Sequence, residues 1–246
     1  MAGGLGYVGV GVVAYLFFLV AGVPAALVLQ HTQWPDEVGW DQARGTVWVG
    51  GVQGPWWRGV RLESLEWRFR PWRLALGEAA VQARLAAPGL ELTGDVAFGL
   101  WSRRLSLSDM YGEGTGASVT RVFGLPVGLE GGFRLDVEGL TVPVEDTPSG
   151  TGRLDWRDAA LTAGPSVGLG RVTAVLDGGR LGLEARGGEV EVDGHVELVA
   201  GPGYSLDLLL VPTATAEQAT IRLLESMTPA GRGGRHRLRH DGRLFP

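Results

Sequence analysis

The sequence predicts a mainly β protein. A single N-terminal transmembrane helix precedes a long, twisted, mostly antiparallel sheet built from two similar halves, with one short soluble helix near the C-terminus. Three observations predict this. The chain opens on an uncharged run, residues 5–29, reading LGYVGVGVVAYLFFLVAGVPAALVL. Beyond residue 45, apolar and polar residues alternate with period two between Gly, Pro and Asp punctuation, the pattern of antiparallel strands with one buried face. Finally, the word LEWR at 65–68 returns as LDWR at 154–157. In a strand, Leu and Trp of that word share one face while the acid and Arg share the other.

The 25 residues of 5–29, at about 1.5 Å each, would reach roughly 37 Å as a helix, enough to cross ~30 Å of hydrocarbon. A cleaved signal peptide is the rival reading, with Val23, Pro24 and Ala25 at its cleavage site. Signal peptides, however, carry an apolar region of only ~7–15 residues behind a basic segment, and the first Lys or Arg here is Arg44. Residues 1–30 are therefore assigned to a retained anchor and 31–246 to a β-rich domain, with half-repeats of about 45–140 and 141–246. Neither flank of the span is basic, and Asp36, Glu37 and Asp41 follow it, which places the bulk of the chain outside the cytoplasm. Trp34 and Trp40 suit either the headgroup layer or the first strands.

Along the domain, Leu65, Trp67 and Phe69 alternate with Glu66, Arg68 and Arg70, and Leu90, Leu92, Val96 and Phe98 keep one parity through Gly94. The pattern continues through Phe133, Leu135 and Val137; Leu154 and Trp156; Val172, Ala174 and Leu176; Leu181, Leu183 and Ala185; and Leu206, Leu208 and Leu210. Residues 89–100 resemble 188–199, which extends the internal similarity begun by the Trp word. Residues 215–227 break the period: Ala219, Leu223 and Met227 lie four apart beside Ile221 and Leu224, behind Thr215 as an N-cap. This is the expected soluble helix. Gly112, Gly114 and Gly116 are spaced loosely like a phosphate loop, but the chain has no Lys to complete one, and they read as a flexible loop. A sheet apolar on one face must bury that face by curling, by receiving a partner or by holding lipid.

Composition excludes several functions. The chain has no Cys, which rules out disulfides and thiolate metal sites, and its net charge of −5 opposes a general nucleic-acid partner. The stretch GPSVG at 164–168, with Asp193 and His195 downstream, fits a nucleophile elbow around Ser166, but that motif needs a helix after the Ser and the sequel alternates like a strand. His236 and His240 have the spacing of a metal pair, yet Arg residues interleave them and no carboxylate completes a site. No catalytic residue, cofactor or metal is expected. Two Arg-dense stretches remain: Arg58, Arg61, Arg68, Arg70 and Arg73, then Arg232, Arg235, Arg237 and Arg239, with Arg243 beyond. Either they dock anionic protein or lipid headgroups, or they are solvated strand faces on which Arg supplies all the basicity.

These features together resemble a known family. The uncharged span is followed by RGTVWVGGVQG at 44–54 and LESLEWRFRPWRLALGE at 62–78; GLPVGLEGGFRLDVEGL at 124–140, GTGRLDWRDA at 150–159 and GRGGRHRLRHDGRL at 231–244 follow in order. The most specific elements are G-T-x-W-x-G, with Gly45, Thr46 and Trp48, and L-x-W-x-x-x-P, with Leu65, Trp67 and Pro71; Leu154 and Trp156 carry the second copy of the Trp word. The chain resembles the protein N family of the bacterial type II secretion system. That resemblance implies a single-pass inner-membrane protein with a periplasmic domain and an accessory role in the export of folded proteins. It also implies other inner-membrane or periplasmic secretion components as partners, with no enzyme activity. In general pattern alone, the chain also resembles AsmA-like, bridge-like modules, for which lipid would be the ligand.

Overall fold

The computed structural model describes residues 22–32, 35, 37–57, 60–143, 146–162, 164, 166–200, 203–227 and 234–243. A short helix, α1 (Ala25–His31), leads into β1 (Val38–Gly39), β2 (Gln42–Gly45), β3 (Val49–Gln53), β4 (Trp56–Trp57), β5 (Val60–Arg61) and β6 (Ser64–Phe69). A 3-10 turn (Pro71–Leu76) precedes β7 (Glu78–Ala87), β8 (Leu90–Gly99) and β9 (Arg104–Thr115). Helix α2 (Gly116–Phe123) then joins β9 to the longest strand, β10 (Gly128–Pro143). Strands β11 (Ser149–Thr162), β12 (Ser166–Gly178), β13 (Arg180–Gly187), β14 (Val190–Val199) and β15 (Gly203–Pro212) follow; helix α3 (Gln218–Met227) and β16 (His236–Arg243) complete the order.

Thirteen strands form one antiparallel sheet in the order β16-β15-β14-β13-β12-β11-β10-β9-β8-β7-β6-β3-β2, while β1, β4 and β5 form a small separate sheet. Apart from that insertion, each strand pairs with its chain neighbour. The register keeps the two faces chemically distinct. One ladder row runs Phe133, Trp156, Val172, Ala185, Val192 and Leu210, and another runs Val52, Leu65, Leu85 and Leu92. The neighbouring row on the other face reads Arg134, Asp155, Thr173, Glu184 and Asp193. Directly opposed residues share a face, so the period-two alternation of each strand adds up to one apolar and one polar surface.

The main core cluster lies in the C-terminal half of the sheet, where Leu224 of α3 is buried with Val172, Ala185, Val190, Val192 and Leu210. Helix α3 begins at Gln218 rather than Thr215, because Thr213 to Ala216 form a turn closed by Ala216 N–H donating to Thr213 O at 3.1 Å. The cap comes from elsewhere: Glu189, between β13 and β14, accepts from Glu217 N–H (3.3 Å) and from the buried Thr220 hydroxyl (2.6 Å).

The structure corrects three expectations. Helix α3 is not the only soluble helix, since α2 follows β9. Its signals were local: Thr115 accepts from Ser118 N–H at 3.3 Å as the N-cap, and Gly124 ends the helix at φ +58°. Gly112 and Gly114 lie in β9 and not in a flexible loop; a side chain at Gly112 would strike Leu92, and one at Gly114 would meet the Gly89 carbonyl at 2.7 Å. The expected N-terminal helix of 5–29 does not run through to its end. Gly22 to Pro24 interrupt it, Pro24 bridges Thr46, and α1 folds back beside β2. Residues 5–21 lie outside the described residues, and no helix among the described residues is long and apolar enough to cross a membrane. The two Trp words sit on β6 and β11, five strands apart in the meander, and therefore run in opposite directions on the same face. No rigid displacement along a meander does that, so the words match in chemistry and face but not in orientation. The junction of the expected halves, near residue 140, falls inside β10.

Candidate interaction surfaces

The sequence motifs converge on one hairpin. Gly45 turns β2 into β3 at φ +78°, where a side chain would run into the Val49 carbonyl. Thr46 closes the turn: its N–H donates to Val49 O at 2.8 Å and its hydroxyl accepts from Val49 N–H at 3.1 Å. Trp67 of β6 donates its indole N–H to Val47 O at 3.0 Å, and Phe69 N–H donates to Trp48 O at 2.6 Å, with the Trp48 and Phe69 rings 5.3 Å apart. The G-T-x-W-x-G element is thus clamped by the L-x-W-x-x-x-P element, whose Leu65 pairs with Val52 and whose Pro71 opens the 3-10 turn. Trp156 of β11 makes the corresponding bond in the second copy, donating to Glu130 O of the neighbouring β10 at 2.8 Å, while Leu154 pairs with Leu135 of that same neighbour.

The Arg residues of the first stretch are not gathered into a patch. Arg61 pairs with Asp41 at the start of β6's end of the sheet. Arg70 forms a two-point bond with the buried Asp95 (2.8 and 3.1 Å), and Arg73 pairs with Glu78 at 2.8 Å, both beyond the other end of β6. Arg58 lies outside the described residues. Of this stretch, Arg68 faces a shallow depression of about 490 Å³, where β2, β3, β6 and β7 bring it beside Arg44, Arg84 and Glu66. Period-two reasoning found Arg68; Arg44 and Arg84 joined it only through strand order. In the second stretch, Arg232 lies outside the described residues and Arg235 is exposed at the start of β16. Arg237 grips Asp207 through two bonds (2.7 and 2.6 Å), and Arg239 adds a third at 3.1 Å. The Arg237 guanidinium, helped by Arg239, pulls the Asp207 carboxyl down to about 2. These two Arg residues, on the outermost strand β16, are consequently held against the polar face of its neighbour β15.

The two sheet edges differ. At the β2 edge, α1 lies alongside, with Ala25 buried. At the other edge, no strand among the described residues pairs beyond β16. Ser166 opens β12, with no helix after it, and His195 aligns through Gly182 with Val175, nine residues along β12 from Ser166. At about 3.3 Å per residue that separates them by roughly 30 Å, so they form no catalytic set. His236 is buried on the apolar face opposite Leu210, while His240 is exposed opposite Leu206, and no group of His, Asp or Glu among the described residues has metal-site geometry.

No curated protein and no solved structure matches the chain. A family model described as type II secretion system (T2SS), protein N matches residues 36–239, taking in the clamped hairpin, twelve strands of the 13-stranded sheet and the first half of the last, β16. By that match the chain belongs to the protein N family of the type II secretion system and is a component of that protein-transport machinery.

Proposed function

We propose that this component is an accessory scaffold, tethered to the inner membrane by its N-terminus, with its sheet in the periplasm, and that it docks other inner-membrane or periplasmic secretion proteins by strand addition at β16. The carrying observation is that no strand among the described residues pairs with β16 on the side away from β15. A free strand edge is a template for another chain unless it is blocked. Tethering draws support from the sequence before the turn at Gly22: residues 1–21 carry no charged side chain, and 21 residues at about 1.5 Å would reach roughly 31 Å. Photo-crosslinkers placed at Arg235 and Asp241 should capture another secretion component in native membranes, and deletion of the gene should impair secretion of folded periplasmic substrates. Normal secretion without a compensating paralogue would overturn the scaffold reading.

A second reading, lipid handling, rests on a different observation. Leu65, Trp67, Val81, Leu92, Val96, Leu135 and Leu154 on the apolar face are only half-buried, whereas the core cluster beneath α3 is confined to the C-terminal strands. Under this reading acyl chains lie along the N-terminal strands. Native mass spectrometry of the full chain released from detergent should then retain lipid adducts, and their absence would remove this reading while leaving the scaffold intact.

A further inference from the structure

Exposed apolar side chains gather on two turns at one end of the sheet. Trp72, Leu74 and Leu76 project from the 3-10 turn, and Leu100 and Trp101 from the β8–β9 turn, with exposures from 42 % at Leu74 to 75 % at Leu76. The turns form one unit. Leu100 N–H donates to Gly77 O at 2.9 Å, and the Trp101 ring lies against Gly77, whose φ of +77° lets the chain reverse there. Arg103 and Arg104 follow immediately, exposed and in no ion pair among the described residues.

The N-terminal segment enters at this same end. Pro24 bridges Thr46 in the β2–β3 turn, and Val47 N–H donates to Val23 O at 3.1 Å. From that turn, Phe69 N–H reaches Trp48 O at 2.6 Å, and two residues later the 3-10 turn begins. Val23 and Pro24, which directly follow the uncharged residues 1–21 of the sequence, therefore lie at the same end of the sheet as the turns that expose Trp72, Leu76 and Trp101.

We infer that this rim rests in the interfacial layer of a lipid bilayer, so that the sheet stands end-on to the membrane. The inference rests on the tethered reading given above. Its occupant follows from chemistry: a rim of Trp and Leu flanked by Arg matches a layer that is apolar on one side and rich in phosphate on the other. Indole rings settle at that level and Arg side chains snorkel toward headgroups. Exposed apolar residues also occur at the opposite end, Phe123 and Leu125 beside α2, but the chain does not enter there. Ten-residue strands such as β8 separate the two ends by roughly 33 Å at about 3.3 Å per residue, so one bilayer surface cannot meet both.

Because the chain has no Cys, single-site labelling of the full-length protein tests this directly. Leu76→Cys, Trp101→Cys, Leu125→Cys and Val12→Cys are each labelled with an environment-sensitive fluorophore. They are then reconstituted into phosphatidylethanolamine–phosphatidylglycerol vesicles carrying spin-labelled lipid at headgroup depth. Labels at 76 and 101 should be blue-shifted and quenched at least about twofold more strongly than the label at 125, because interfacial residues lie within reach of the headgroup spin labels. If positions 76 and 101 behave like 125 while position 12 reports a membrane environment, the rim inference is wrong and tethering survives. If position 12 also reports water, tethering fails and the rim inference with it.

Discussion

Trp67 shows how one side chain can hold two sequence elements together. Its indole N–H donates to Val47 O, and its ring packs so closely over the β2–β3 hairpin that a side chain at Gly50 would meet it at 2.8 Å. Trp67→Phe should therefore cost about 1 kcal/mol in urea unfolding, the net worth of one hydrogen bond with most of the packing kept. Gly50→Ala should cost more, about 1–3 kcal/mol, because the added methyl also meets the Thr46 carbonyl at 2.6 Å and backbone cannot yield as a side chain can. Asp207 makes a prediction in pH instead. Its carboxyl sits at about 2, lowered from 3.8 first by the Arg237 hydrogen bond. A carboxyl depressed on folding contributes stability that is fully present above its unfolded pKa and is lost as pH falls through its folded one. Unfolding midpoints of the native chain should thus decline between roughly pH 4 and 2, and the decline should be shallower in Asp207→Asn.

Helix α3 depends on an element it does not follow in sequence. Glu189, one turn after β13, supplies the carboxylate that meets Glu217 N–H and the buried Thr220 hydroxyl. Those bonds, Thr220's first, hold the Glu189 carboxyl below its ordinary value. Thr220→Val should loosen α3 by about 1–2 kcal/mol, since a charge-assisted bond is lost and the Glu189 carboxylate keeps only the longer bond from Glu217 N–H. Limited proteolysis should then cut within 215–227 sooner than in the native chain, while the strands resist as before. The strands themselves were legible in the sequence because burial on one face writes period two directly into Leu65–Trp67–Phe69 and Leu206–Leu208–Leu210. Helix α2 was not. Eight residues between strands give too little periodicity, and its evidence was confined to Thr115 as cap and Gly124 as terminator. The Arg stretches were misleading for a related reason: Arg61, Arg70 and Arg73 are close in sequence, but β6 places Arg61 at one end and the others beyond its far end. Arg44, Arg68 and Arg84 met across strands instead, and no sequence spacing announces that.

At the scale of the molecule, a thirteen-stranded meander distributes its stability unevenly. Each strand of the main sheet pairs only with its one or two lateral neighbours, so cooperativity passes along the sheet step by step, as in repeat architectures. The apolar face is buried mainly where α3 covers it, over Val172, Ala185, Val192 and Leu210, whereas Phe98 and Leu105 in β8 and β9 remain exposed. Local opening should therefore be costliest in β11 to β15 and cheapest at the two outer strands, β2 and β16, which among the described residues have a strand neighbour on one side only. Among the edges, β2 should open less readily than its short length suggests, because α1 and the Trp67 clamp brace its turn. Native-state hydrogen exchange of the full chain should accordingly show graded protection: β16 fastest, β6 to β9 intermediate, and β11 to β15 slowest. Trp67→Phe should accelerate exchange in β2, β3 and β6 while leaving β12 to β14 unchanged. A single protection level across all thirteen strands would mean that the sheet opens as one unit, and the stepwise picture of its stability would be wrong.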